Sequence, residues 1–88
     1  MELWDVTITK QSLKDYELIK AAGLSPKIIE LSSLLEINPF QSPPPYEKLV
    51  GDLDGLFSRR INIRHRLVYS VNKEENLVKV LRLWTYYE

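Results

Sequence analysis

Three consecutive prolines, Pro43-Pro44-Pro45, set the first limit on what this chain can become. Proline fixes φ and carries no N–H, so Gln41 to Tyr46 is expected to be a stiff surface connection, neither helix nor strand. The run lies inside the longest uncharged stretch, the ten residues from Ile37 to Tyr46, which hold four prolines. No stretch of the chain is long and apolar enough to span a bilayer, so no membrane association is expected.

The patterning differs on the two sides of this break. Leu3 to Thr9 alternates, with Trp4, Val6 and Ile8 on one side, and reads as a strand. Thr9 or Ser12 can cap a helix running to about Ala22, with Leu13, Tyr16 and Ile19 as its inner stripe and Gly23 as its stop. Ser25-Pro26 then opens a second helix, serine as N-cap and proline at the first helical position. Ile28, Leu31, Leu34 and Leu35 share one face of it, and Asn38-Pro39 ends it. Beyond the prolines the chain reads as a meander of strands at Leu56 to Ile61, Arg66 to Val71 and Leu77 to Thr85. Polar turns at Asn62 to Arg64 and Asn72 to Asn76 separate them. Helices before strands in 88 residues predict a single α+β domain, residues 1–88, with two N-terminal helices on one face of a twisted antiparallel sheet.

Composition removes several chemistries. With no cysteine there is no disulfide framework, no zinc ribbon and no thiolate nucleophile. His65 is the one histidine and cannot by itself build a metal site, so neither metal nor cofactor is expected. The opening Met-Glu-Leu-Trp-Asp lacks the basic and apolar regions of a secretory signal, which predicts a cytoplasmic protein.

The net charge of zero conceals a segregation. Residues 1–55 carry five lysines against nine acids, a net of −4, whereas residues 56–88 carry five arginines and two lysines against three acids, a net of +4. All the arginines (Arg59, Arg60, Arg64, Arg66 and Arg82) fall in the second part. Arginine is a rigid fork suited to phosphate and carboxylate, although its stem also covers strands well.

If the turn pairs Ile61 with His65, the constant sum of antiparallel partners puts Arg60 opposite Arg66 on one sheet face. Like charges directly opposite destabilise a sheet, and an anion held between them offsets that cost. Ser58 and Ser70 project from the same face and mark it as the polar side. Phe57, Ile61, Leu67, Tyr69 and Val71 gather on the other, which is the natural helix-covered side, with Arg59 an exception near its edge. Two forked cations suit a phosphodiester, whose transition state gathers negative charge on its non-bridging oxygens. The nearby acid–base candidates are Glu47 and the terminal Tyr86-Tyr87-Glu88. Lone glutamates are more often solvated surface charges, and terminal tyrosines more often core plugs, so the residues alone leave the chemistry open.

The run Glu47-Lys48-Leu49, the strand Gly55-Leu56-Phe57-Ser58-Arg59-Arg60-Ile61-Asn62 and the strand His65-Arg66-Leu67-Val68-Tyr69 closely resemble the Txe/YoeB family of RelE-like toxins. The likeness covers nearly the whole chain in length and element order, and Trp84-Thr85-Tyr86-Tyr87-Glu88 ends it where that family ends. The resemblance implies a RelE-like, microbial RNase-like fold and the toxin of a type II toxin–antitoxin pair. Such a protein is a metal-independent endoribonuclease that cuts mRNA in the ribosomal A site and inhibits translation. The 2′-hydroxyl attacks the adjacent phosphate, leaving a cyclic phosphate or 3′-phosphate end.

By the same resemblance Glu47 matches the general base and Arg66 the arginine that stabilises the phosphorane-like charge. Arg60 matches the second arginine, with its neighbour Arg59 and the terminal Tyr87 placed beside it in substrate binding. Tyr86 stands where the family has a histidine, and Val50 where it often has a basic residue. A phenol still carries its proton at neutral pH and remains able to protonate a leaving 5′-oxygen. The implied partners are a YefM/Axe-like antitoxin with an acidic C-terminal segment, the ribosome and its mRNA, with a homodimer left open. Two other readings stand beside the enzyme. One is a catalytically weakened toxin-fold module that binds RNA or its antitoxin; the other is a structural α+β domain whose arginines make surface ion pairs.

Overall fold

A computed structural model describes residues 3–51 and 55–83 of the chain. The order is β1 (Asp5–Ile8), α1 (Lys10–Ala21), α2 (Ser25–Ile37), β2 (Tyr46–Lys48), β3 (Leu56–Arg60), β4 (Arg66–Asn72) and β5 (Leu77–Arg82). The strands form one sheet in the order β1-β5-β4-β3-β2. The α+β architecture is as expected, with one correction: β1 runs parallel to β5, while the remaining pairs are antiparallel. A parallel pair needs a crossover connection, and here the helices and the meander together supply it. The expected last strand ends at Arg82, and Thr85 lies outside the described residues.

Local chemistry explains the helix ends. Thr9 caps α1: its side chain accepts from the Ser12 N–H, and the Ser12 side chain accepts from the Thr9 N–H in return. Gly23, at φ +77°, stops the helix where an L side chain would be strained. The second helix starts one residue earlier than its sequence suggests. Leu24 is the N-cap and makes no side-chain capping bond, while Ser25 is already helical and Pro26 sits in the first turn, where a missing N–H costs nothing.

The core lies between the helices and one sheet face. Ile19, Ile28, Leu31 and Leu35 meet Ile61, Leu67, Tyr69, Val78, Val80 and Leu83 there. The inner stripe of α1 differs from expectation, because Leu13 is half exposed and Ser12, Asp15 and Ile19 are buried. Asp15 is drawn inward by partners far along the chain: Arg82 Nε donates to it at 2.7 Å and the Leu83 N–H at 3.1 Å. Burial works to raise the Asp15 pKa. The bonds from Arg82, the Leu83 N–H and Gln11, together with the Arg82 charge, outweigh it and hold the carboxyl below its ordinary value.

A depressed carboxylate pKa contributes stability that is fully present above the unfolded value near 3.8 and is lost as pH falls through the lower folded value. Asp15→Asn is therefore expected to cost about 1.5–3 kcal/mol at neutral pH, the range for hydrogen bonds to a charged group. Urea unfolding of both proteins should show the gap closing in acid. A gap that stays constant with pH would mean that Asp15 acts through packing and not through charge.

The residues flanking the prolines, Phe40 and Tyr46, belong to a set of packed aromatic rings. Phe40 meets Trp4, Tyr46 and Phe57 at centroid distances of 6.4, 6.1 and 5.5 Å, and Phe57 stacks on Tyr69 at 5.7 Å. The connection is thus anchored on buried surface, with Pro39 itself buried. The irregular stretch ends one residue earlier than expected, because Tyr46 already pairs with Arg59 as the first residue of β2, an edge strand that its sequence did not announce.

Candidate active site

The turn after β3 sets the geometry of the two central arginines. The Asn62 side-chain oxygen accepts from the Arg64 N–H at 2.8 Å and the His65 N–H at 2.7 Å, while the Ile61 N–H donates to His65 O at 2.8 Å. An Asn that folds its own backbone in this way makes a short, well-defined turn. Arg60 consequently sits directly opposite Arg66, as the pairing argument expects.

On the next strand, Glu47 is the central residue of β2 and stands opposite Ser58. Successive strand residues alternate in direction, so Glu47, Ser58, Arg60, Arg66 and Val68 all belong to the face away from the helices. That face is not uniformly wet. Arg60 is exposed, but Ser58 and Val68 are buried at 0% and 1% exposure.

Glu47, Arg60 and Arg66 line one open groove of about 550 Å³, with Pro44, Pro45, Ser58, Asn62 and Ile63. Arg66 Nη1 lies 3.4 Å from Glu47 Oε1, with the two side chains 21% and 63% exposed. A contact that long between partly solvated groups is worth little in stability, so both remain available to a third party. The groove can therefore hold an anion between two guanidinium forks with one carboxylate beside it. Lys27 reaches the same groove from α2. The sequence did not single this lysine out; the available signal was that α2 carries no other cation.

Arg59 requires a correction. Expected near the edge of the dry face and among the substrate-binding residues, it is 1% exposed. Nη1 donates to Pro44 O at 2.7 Å, and Nη2 donates to Pro39 O at 2.9 Å and Gln41 O at 2.8 Å. Both terminal nitrogens are thus bonded to its own chain, while the buried Nε has no hydrogen-bond partner among the described residues, and the side chain borders the groove without being exposed in it. The Tyr69 hydroxyl joins it, donating to Pro39 O at 2.8 Å. Burial pushes the Tyr69 phenol pKa up, against the opposing charge and hydrogen bond of Arg59, so the donor stays protonated. Tyr86 and Tyr87 lie outside the described residues. Val50, where a basic residue would resemble the family pattern, is 79% exposed.

Comparison with known proteins bears on this arrangement. Residues 8–87 match the profile described as the YoeB-like toxin of bacterial type II toxin–antitoxin systems. The chain is 35% identical over 81 residues to the toxin YoeB of Escherichia coli K12, covering 92% of this chain and 88% of that one. A YoeB/ParE toxin from Agrobacterium tumefaciens superposes with a TM-score of 0.84 at 32% identity, covering 94% and 99% of the two chains. A chain of the YoeB–YefM complex from Staphylococcus aureus superposes with a TM-score of 0.78, also at 32% identity, covering 96% and 98%.

Proposed function

This chain belongs to the YoeB-like toxins of bacterial type II toxin–antitoxin systems, and on that premise we propose that it is an endoribonuclease cutting mRNA in the ribosomal A site. The observation that carries the reading is the convergence of Glu47, Arg60 and Arg66 on one groove. Relatives solved with YefM further support an antitoxin as the partner that restrains it.

The reaction follows from the chemistry of those three groups together with Tyr86. Glu47 takes the proton from a 2′-hydroxyl, and the 2′-oxygen bonds to the adjacent phosphorus. Negative charge then accumulates on the non-bridging oxygens, where two planar forks can each donate in pairs. The bond from phosphorus to the 5′-oxygen breaks, and that oxygen takes a proton from Tyr86. One product ends in a 2′,3′-cyclic phosphate and the other in a 5′-hydroxyl. All three functions reside in side chains, so no metal enters the sequence of steps. The ion pair between Glu47 and Arg66 opens as the phosphate enters, at little cost given its length and exposure.

Arg66→Ala tests this directly. Single-turnover cleavage of mRNA on programmed ribosomes is expected to fall about 10²–10³-fold, the usual cost of losing one preorganised donor to developing charge. Thermal melting should show no loss of stability, because the substitution also removes the like-charge contact with Arg60. Cleavage at the parental rate would refute the role. A marked drop in melting temperature would show Arg66 to be structural.

A further inference from the structure

We infer that Arg59 is a positioning residue: it acts on the reaction through Glu47, by fastening the proline segment that leads into β2. The inference rests on the proposed role of Glu47 and extends it to a residue at the groove's border that is 1% exposed and whose terminal nitrogens are bonded to its own chain.

Two features show why Glu47 needs such support. Strand β2 is three residues long and lies at the sheet edge, with β3 as its neighbour. Short edge strands bonded on one side are easily displaced. Downstream, the Leu49 N–H donates to Leu56 O at 2.9 Å and holds one end. Upstream the chain enters from the proline segment, which has few N–H groups with which to anchor itself.

Arg59 supplies the missing anchor. It is paired with Tyr46, the residue before Glu47, and its guanidinium carbon lies 5.1 Å from the Tyr46 ring centroid. From that point its two terminal nitrogens reach the carbonyls of Pro39, Gln41 and Pro44. The side chain therefore ties both ends of the segment to the residue preceding the base. Among the described residues no carboxylate pairs with Arg59. Burying a cation against carbonyls and one aromatic ring, with no carboxylate, is an expensive way to stabilise a fold, and an apolar side chain would serve that purpose better. What the fork provides is a fixed path for the loop. Adjacent arginines on one strand thus divide the work by strand alternation: Arg60 is exposed on the groove, while Arg59, buried at its border, braces the strand beside it.

The test is a double-mutant cycle with Glu47. Arg59→Met and Arg59→Lys are each made alone and in combination with Glu47→Gln, and single-turnover cleavage is measured on programmed ribosomes. Lysine keeps the charge but cannot reproduce a fork across three carbonyls. With Glu47 present, both variants should lose about 10–100-fold, since misplacing a reacting group by about 1 Å can cost 10²-fold. In the Glu47→Gln background the further loss should be under about twofold, because there is no base left to misplace.

An equal loss in both backgrounds overturns the inference, since partial unfolding or direct substrate contact would lower both alike. If Arg59→Met does not fold, Arg59→Lys carries the cycle. Amide exchange supplies a readout that survives failure of the catalytic reading: protection in β2 should fall in Arg59→Lys while β4 and β5 keep theirs. Unchanged protection in β2 overturns the inference even if Glu47→Gln should cleave normally, an outcome that would instead refute the role of Glu47.

Discussion

Glu47→Gln is expected to lower single-turnover mRNA cleavage on programmed ribosomes by about 10²–10⁴-fold, the ordinary worth of a general base. The amide keeps the size and reach of the carboxylate but cannot accept the 2′-proton. On the proposed reading ribosome binding should persist, because the amide keeps the shape of the side chain. Melting temperature should barely move: the side chain is 63% exposed, and its contact with Arg66, at 3.4 Å, is too long and too wet to contribute much. The expected pattern is a protein that binds, folds and does not cut. Undiminished cleavage would take Glu47 out of the mechanism and leave the arginines to act on charge alone. Loss of folding would make Glu47 a structural residue.

The parts of this arrangement that were legible in the sequence are those set by local rules. The Arg60–Arg66 pairing follows from strand alternation and one short turn, both written within ten consecutive residues. Gly23 marks a helix stop because it alone takes positive φ without strain, and Pro26 marks a start because its φ is already fixed near the helical value. What escaped depends on partners distant in sequence. Asp15 faces the interior only because Arg82 lies there, 67 residues away, so a hydrophobic-stripe reading of α1 selects Leu13 instead. Strand β2 has no periodicity of its own and forms because the edge of β3 receives it. Arg59 on an apolar face looked like an edge residue. Its burial becomes intelligible once the carbonyls of the proline segment, up to 20 residues earlier, are found pointing at it. The parallel pairing of β1 with β5 likewise joins the two ends of the chain, where no local signal can speak to direction.

The groove geometry also constrains what the remaining group must do. In the proposed reaction Glu47, Arg60 and Arg66 act as a base and two charge stabilisers, but none of them protonates the departing 5′-oxygen well. An arginine holds its protons too tightly, and Glu47 is occupied with the 2′-proton when the bond breaks. A donor with a transferable proton is needed, and the residues that the family resemblance offers for it are two phenols, Tyr86 and Tyr87.

Tyr86→Phe is therefore expected to reduce cleavage by about 10²–10⁴-fold, since it keeps the ring and deletes the proton. An ordinary phenol has a pKa of about 10 and stays protonated at neutral pH, while an alkoxide leaving group is far more basic, so transfer to it is downhill. Tyr86→His installs the residue of the family pattern and should keep or raise activity. It should add a dependence on pH near about 6.5, with cleavage falling as the imidazole loses the proton it must donate. A competing role is stacking on an mRNA base, which phenylalanine performs equally well. The two variants separate these roles. A proton donor gives a slow Tyr86→Phe and an active, pH-dependent Tyr86→His, whereas a stacking platform gives a Tyr86→Phe as fast as the parent. In the second case the donor must be sought at Tyr87, and Tyr87→Phe would then carry the loss that Tyr86→Phe failed to show.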